Sequence, residues 1–184
     1  MTTATTTSGT KSAAKAVCWG KSLTSEAIQR LPVENVQDYP RPPALQKVPQ
    51  RVKIHFGGRL IVDTEHALRV LETHHAPTYY IPPSDVDADL IAAPGATFCE
   101  WKGSARYWTV RVGGRSAVRA AWSYADPTGR FSALADHLAF YSSLMDLCQV
   151  GEAKVTPQPG DFYGGWVTDN LQGIVKGGPG TRHW

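Results

Sequence analysis

The chain has 184 residues and a mass of 20.0 kDa, the size of one domain with modest extensions. Its 42% hydrophobic content excludes a wholly disordered protein. The net charge of +3 comes from residues 1–50, which hold six basic and three acidic residues, whereas residues 51–150 hold ten of each and residues 151–184 three of each. The neutral centre argues against a nucleic-acid-binding face, which needs a clustered basic stripe.

Cysteine usage and hydropathy indicate the compartment. Cys18, Cys99 and Cys148 are far apart and form no CxxC pair, which is typical of a reducing environment. No stretch approaches the roughly 20 apolar residues of a membrane helix, and the N-terminus lacks the apolar segment of a secretory signal. We therefore predict a cytoplasmic protein with no membrane partner.

Residues 1–50 are predicted to be a disordered tail followed by a proline-rich strap. The first 25 residues are rich in Thr, Ser, Ala and Lys, and a short helix is predicted at 25–31, ended by Pro32. From Tyr39 to Pro49 the prolines favour an extended, polyproline-like run. Such a strap can cross a domain surface or serve as a docking peptide.

Compact structure is predicted for residues 51–150 and begins with a hairpin. Apolar and polar residues alternate over 51–56, Gly57-Gly58 suits a tight turn, and residues 59–62 return as the second strand. A short helix is then predicted around 64–71, and a strand at 78–81 that Pro82-Pro83 ends.

The second half of this domain contains the clearest local pattern. One or two helical turns are predicted at 84–91, followed by a hairpin in which residues 105–112 and 115–124 flank Gly113-Gly114. A turn at 126–129 precedes a helix predicted over 132–148 from apolar residues at helical spacing. Residues 151–184, with eight glycines, are predicted to be an extension packing on the domain.

Aromatic and cationic residues alternate along the predicted strands between 79 and 124. The candidate ligand-binding residues are Tyr80, Trp101, Lys102, Arg106, Trp122 and Tyr124. Aromatic walls with a few fixed charges are typical of small-molecule pockets, and cations can also engage the rings directly. The alternative is that these aromatics form the core of a small sheet domain.

Six motifs follow one another in the order seen in a known family. They are FGG at 56–58, ALRVLE at 67–72, YYIPP at 79–83, CEWKGSARY at 99–107, AWSY at 121–124 and HLAFY at 137–141. Over residues 51–150 the chain resembles the domain-of-unknown-function family numbered 427. The resemblance implies a mainly β (α+β) fold, a β-tent-like pair of antiparallel sheets with two or three short helices and extended arms at both ends. It implies no established activity.

The resemblance also sets expectations about ligands. Relatives of this fold often hold structural zinc through two CxxC pairs, which this chain lacks, so we predict no metal and no cofactor. Their aromatic pocket for small ligands is compatible with this sequence. An old family label suggests a nucleotidyltransferase, for which Asp85, Asp87 and Asp89 are the only acidic cluster, but these residues more simply cap a turn.

The leading hypothesis is a domain that binds a small organic or anionic ligand in an aromatic and cationic pocket. Acid–base catalysis on that ligand could involve Lys102, Tyr124 or His137. Cys99 is a weaker candidate nucleophile, with a small buried cysteine as the alternative. The hypothesis from another class is a non-catalytic protein-interaction module that recruits partners through its strap and its glycine-rich tail.

Overall fold

The structure, a computed structural model, describes Met1, residues 29–182 and Trp184. It is mainly β with several antiparallel sheets, which confirms the predicted fold class. No helix in this part of the chain has the length and apolarity that crossing a membrane requires. The predicted helix at 25–31 lies largely outside the described residues.

The strands are, in chain order, β1 (Glu34–Asn35), β2 (Ala44–Lys47), β3 (Val52–Phe56), β4 (Arg59–Thr64), β5 (Leu68–Leu71), β6 (Thr78–Tyr80), β7 (Asp89–Cys99), β8 (Gly103–Val112), β9 (Arg115–Tyr124), β10 (Ala139–Phe140), β11 (Leu147–Val150), β12 (Ala153–Lys154), β13 (Thr156–Pro157), β14 (Trp166–Val167) and β15 (Leu171–Gln172). Short 3-10 helices occupy Val36–Asp38, Pro83–Asp85, Gly129–Leu134 and Ser142–Leu144.

Two four-stranded antiparallel sheets make up most of the fold. The first has the order β12-β11-β3-β4, and the second has the order β10-β9-β8-β7. Both predicted hairpins are confirmed, β3–β4 in the first sheet and β8–β9 in the second. The first turn needs glycine because Gly57 and Gly58 have φ of 62° and 74°.

A third sheet corrects one helix prediction. Residues 68–71 form β5, which lies between β2 and β6 in an antiparallel sheet. The helix predicted around 64–71 is therefore wrong, because four apolar-rich residues fit a strand as well as one helical turn and two neighbouring strands supply hydrogen bonds. The strap contributes β2 to this sheet, so residues 44–47 are part of the folded unit.

The helix predicted over 132–148 is also wrong. That segment holds two 3-10 helices separated by β10, and it ends in β11, where Cys148 pairs with Ile54. Its apolar residues are buried as expected, with Leu134 and Leu138 at 0% and 2% exposure. Each contacts a neighbouring strand rather than the next helical turn, so tertiary pairing overrides the periodicity.

The helical turns predicted at 84–91 are reduced to the 3-10 helix Pro83–Asp85. From Asp89 the chain forms β7, an 11-residue edge strand whose side chains are mostly exposed. The sequence does not reveal β7, because Pro94-Gly95 resembles a turn and the exposed residues show no alternation. The structure accommodates this pair as an irregularity between Ala93 and Ala96 in the pairing with β8.

Most of the buried aromatic residues lie in two of the three hydrophobic clusters of the interior. The larger lies between the two four-stranded sheets, and the smaller lies where β5 and β6 meet β8 and β9. Neighbouring residues of β6 divide between them: Tyr79 belongs to the larger cluster and Tyr80 to the smaller. This division follows from the two-residue period of a strand, which points successive side chains to opposite faces.

The glycine-rich C-terminal residues lie against these clusters. Trp166 is 1% exposed, packs on Tyr79 with ring centroids 5.1 Å apart, and donates Nε1–H to the Phe140 carbonyl at 2.9 Å. The Gln158 side chain accepts from the Ala76 amide at 3.1 Å and donates to the Lys176 carbonyl at 3.0 Å. These contacts hold Lys176 beside the smaller cluster.

A part-buried ion pair attaches β1 to the third sheet. The Arg69 guanidinium donates to both Glu34 carboxylate oxygens at 2.8 and 3.1 Å, and both side chains are 15% exposed. Tyr39 donates its hydroxyl to the same carboxylate at 2.5 Å. The pair therefore ties the N-terminal strap to β5.

We expect Arg69→Met to lower the free energy of unfolding by about 2 kcal/mol, because it leaves the Glu34 carboxylate without its counter-charge. This is below the cost of breaking a fully buried pair, since water still reaches both side chains. The measurement is urea unfolding at pH 7. The double variant Glu34→Gln/Arg69→Met should recover most of the loss. A loss below about 0.5 kcal/mol in Arg69→Met would show that the pair is only a surface contact.

Candidate ligand-binding site

A cavity of about 280 Å³ opens beside the smaller cluster. We call it the aromatic cavity. Its lining residues are Arg41, Val70, Glu72, His75, Thr78, Tyr80, Thr97, Phe98, Cys99, Glu100, Trp101, Lys102, Ala105, Tyr107, Trp122, Tyr124, Tyr141, Phe162, Tyr163 and Lys176. They come from the strap, from β5 to β9 and from the C-terminal residues, so the site exists only when these parts are folded together.

The strand register explains why this place is hollow. On the paired strands β8 and β9, Tyr107 lies opposite Trp122, and Ala105 lies opposite Tyr124. Alternate residues of a strand share one face, so Ala105 and Tyr107 line the same wall. The small side chain of Ala105 leaves room beside the rings of Tyr107, Trp122 and Tyr124. Tyr80 from β6 adds a fourth ring, whose centroid lies 6.4 Å from that of Tyr124.

Lys102 is one of two buried cations that line the cavity, and Lys176 is the other. Lys102 lies in the turn between β7 and β8, which Thr128 holds by donating its hydroxyl to the Trp101 carbonyl at 2.6 Å. Its side chain is buried, and Nζ lies 5.8 Å from the ring centroids of both Tyr124 and Phe131. Among the described residues, its ammonium has neither a carboxylate partner nor a hydrogen bond.

The acidic residues at the cavity are already paired with Arg41. Arg41 donates to Glu100 at 2.8 Å and lies 3.8 Å from Glu72. Glu72 also accepts a hydrogen bond from Trp101 Nε1 at 3.3 Å. The guanidinium lies 5.7 Å above the Trp101 ring. Glu72 and Glu100 share the single positive charge of Arg41, and neither is paired with Lys102.

The tyrosine hydroxyls of the cavity act as neutral hydrogen-bond donors and acceptors. Burial raises the pKa of Tyr80, Tyr124 and Tyr141 well above the usual value, which keeps their hydroxyls protonated. Tyr107 shares a hydrogen bond with Thr97 Oγ1 at 2.9 Å. Because Tyr124 stays protonated, it can donate a hydrogen bond, but the tyrosinate that would act as a base is not formed.

His75 and Lys176 form a second polar group in the cavity. His75 Nδ1 lies 3.1 Å from the Thr73 carbonyl, and its ring packs edge to face on Tyr163 at 4.8 Å. Burial, with a smaller contribution from the positive charge of Lys176, lowers the pKa of His75 to about 4. Lys176 donates to the Trp184 carbonyl at 2.6 Å, and its Nζ lies 4.5 Å from the Tyr163 ring centroid.

The structure brings together five of the six predicted ligand-binding residues. Tyr80, Trp101, Lys102, Trp122 and Tyr124 all line the cavity. Arg106 does not, because it follows Ala105 on β8 and therefore points to the opposite, exposed face of the sheet. The predicted contribution of Arg106 to the pocket is thus not supported by its position.

The catalytic candidates divide in the same way. Lys102, Tyr124 and Cys99 line the cavity, and Cys99 is partly exposed there. His137 does not line it, and its Nδ1 lies 3.1 Å from the Ala135 carbonyl in the loop before β10. His137 therefore does not share the cavity with Cys99.

Several lining residues were missed as site candidates. Tyr141 was assigned to the helix that the structure replaces, and Lys176 lies in an extension whose course the sequence does not specify. His75 lies in the loop between β5 and β6, where no strand pattern marks it as a site residue. Tyr107 is the one that strand alternation could have found, since it shares a strand face with Ala105 and lies opposite Trp122.

The acidic triplet considered for a nucleotidyltransferase is engaged elsewhere. Asp87 pairs with Arg59 at 2.5 Å, and Asp89 pairs with Arg111 at 3.2 Å. Asp85 accepts a hydrogen bond from Thr64 at 2.5 Å, which contributes most to lowering the pKa of its carboxyl. Within the described residues, no group of three or more His, Cys, Asp or Glu side chains converges on a metal position.

Ala105→Leu is expected to block the cavity without unfolding the protein. The added side chain would occupy the space between Tyr107 and Tyr124, and it is an apolar group entering an apolar wall. We expect ligand binding to fall at least about tenfold, and the free energy of unfolding to change by less than about 2 kcal/mol. Calorimetric titration and urea unfolding check the two parts. Unchanged affinity would place the ligand outside this cavity.

Comparison with known proteins identifies the family context of this site. The model of the family described as a domain of unknown function (DUF427) matches residues 44–151. The matched segment begins at β2 and ends after β11, so it includes the strands that form the cavity walls, whereas Arg41, Phe162, Tyr163 and Lys176 lie outside it. No curated protein matches the chain.

Proposed function

The chain belongs to the DUF427 family, and for this member we propose that the aromatic cavity binds a small organic anion. The observation that carries the proposal is Lys102, a largely buried cation that lines the cavity and has no carboxylate partner among the described residues. The aromatic walls would hold the apolar part of the ligand, and Lys102 would bind its carboxylate or equivalent anionic group.

The free energy of burying Lys102 has two opposing contributions, the loss of hydration and the contact with aromatic rings. Taking an ammonium out of water costs several kcal/mol, even after the protein relaxes. Contact with the rings of Tyr124 and Phe131 returns about 1–2 kcal/mol at most, since both lie 5.8 Å away. The remaining cost favours a bound anion, which would restore the charge balance and gain a charge-assisted hydrogen bond.

The size of the cavity limits the ligand. A volume of about 280 Å³ is close to the lower end of the range for small-molecule sites, about 300–1,000 Å³. This favours an acid with a single ring or a short chain over a nucleotide. Phe98 and Phe162 are 78% and 74% exposed at the rim, where they could cover the apolar part of such a ligand.

The interaction-module hypothesis has less support from the geometry. The strap that would have to be available to a partner is hydrogen-bonded through β2 to β5. The glycine-rich tail is anchored by Trp166, which is buried against Tyr79. Both segments are therefore engaged within the chain and contribute Arg41 and Lys176 to the cavity.

The test is a thermal-unfolding screen of matched ligands on the full chain. Each carboxylate is paired with its neutral amide, for example benzoate with benzamide and 3-phenylpropanoate with 3-phenylpropanamide. We expect at least one carboxylate at a hundred times its dissociation constant to raise the melting temperature by about 5 °C or more, whereas its amide does not. If no carboxylate shifts the melting temperature, or if amides shift it equally, the proposal is wrong.

A further inference from the structure

His75 occupies the aromatic cavity with one ring nitrogen already used. A carbonyl oxygen can only accept a hydrogen bond, so the contact between Nδ1 and the Thr73 carbonyl requires the proton to be on Nδ1. In the neutral ring, Nε2 then carries a lone pair. No described residue donates a hydrogen bond to Nε2. The side chain is 12% exposed, and the residue lines the aromatic cavity.

The charged groups around His75 favour the neutral ring. Burial is the main cause, and the positive charges of Lys176, Lys102 and Arg41 add to it, so the pKa of His75 is lowered to about 4. Glu72 is the opposing group, 3.9 Å from Nδ1. Its carboxylate also accepts from Trp101 and lies near Arg41, which limits its influence on the imidazole. At neutral pH His75 is therefore uncharged, and its Nε2 is an acceptor in a cavity that also holds the donors Lys102 and Lys176.

We propose that His75 Nε2 accepts a hydrogen bond from the bound anion, so that the ligands of this cavity are hydroxylated carboxylates rather than plain ones. This inference rests on the proposed function, because it requires the anionic group to be held by Lys102. The two polar contacts would be complementary: Lys102 donates to the carboxylate, and His75 accepts from a hydroxyl elsewhere on the same molecule. Together they would fix the orientation of the ligand between the rings.

The test compares acids that differ by one hydroxyl. Calorimetric titrations of the full chain at pH 7.5 use 3-phenyllactate against 3-phenylpropanoate, 4-hydroxybenzoate against benzoate, and glycolate against acetate. We expect the hydroxylated member of at least one pair to bind about tenfold more tightly. In His75→Phe, which keeps a ring but removes the acceptor, the ratio of the affinities for the hydroxylated and the plain acid should fall to about one.

A spectroscopic readout on the unmodified protein covers the case in which His75→Phe does not fold. In the nitrogen-15 spectrum of the imidazole, Nε2 should be unprotonated and should shift on addition of the hydroxylated acid but not of the plain one. Equal affinities within every pair, with plain acids still binding, would overturn this inference and leave the proposed function intact. If no acid of either kind binds, the proposed function itself is wrong.

Discussion

Replacing Lys102 by methionine is expected to weaken the binding of the organic anion by at least about thirtyfold, since it removes a desolvated counter-charge. The matched control is Arg106→Met. Both residues are cations near the start of β8, but Arg106 lies on the exposed face and does not line the cavity. Its replacement should leave the affinity within about twofold. Calorimetric titration of the three proteins with one carboxylate measures the difference.

The stability of the Lys102→Met variant provides a second readout. Methionine fills similar space without a charge, so the unliganded variant should be as stable as the wild type or more so. Loss of binding together with retained stability would separate a ligand-binding role from a structural one. A Lys102→Met variant that is markedly less stable, with unchanged affinity per folded molecule, would show that the ammonium serves the fold.

The second large expected effect is a pH dependence of stability caused by His75. Its pKa of about 4 in the folded protein lies below the value of about 6.5 in the unfolded chain. The unfolded state therefore binds more protons between these pH values. The contribution is fully present above pH 6.5 and is lost as the pH falls toward 4. From the size of the shift, it amounts to about 3 kcal/mol.

Urea unfolding at intervals from pH 4.5 to 7.5 measures this contribution as the difference between wild type and His75→Asn, which keeps a donor near Thr73 but does not titrate. The slope of stability against pH should be smaller in the variant over this range. His66→Asn is the control, because the His66 side chain is 79% exposed. Parallel curves for wild type and His75→Asn would mean that His75 titrates alike in both states.

The strand patterns could be predicted where local chemistry determines them. The two hairpins follow from alternating apolar residues around Gly57-Gly58 and Gly113-Gly114, and these pairings hold in the structure. Five residues of the aromatic cavity could be predicted for the same reason, since they lie on β6, on β9 or in the turn before β8. Alternation also predicts that Arg106 and Tyr107 lie on opposite faces of β8, and only Tyr107 lines the cavity.

The remaining features depend on contacts between distant parts of the chain. Leu68–Leu71 is a strand because β2 and β6 lie on either side of it, and no local pattern reveals those partners. Lys176 reaches the cavity because Gln158 and Trp166 anchor the C-terminal residues. The chemical character of His75 likewise depends on its burial and on cations from three separate segments.

The binding of an organic anion by Lys102 is tested most directly by locating such an anion in the folded protein. The tightest carboxylate of the screen, in a brominated form, is co-crystallised with the full chain, and the bromine is located by anomalous scattering. The predicted result is a bromine peak inside the aromatic cavity, with the carboxylate within hydrogen-bonding distance of Lys102 Nζ. A bound ligand outside the cavity, or one whose carboxylate contacts Arg106 or another surface cation, would contradict the account.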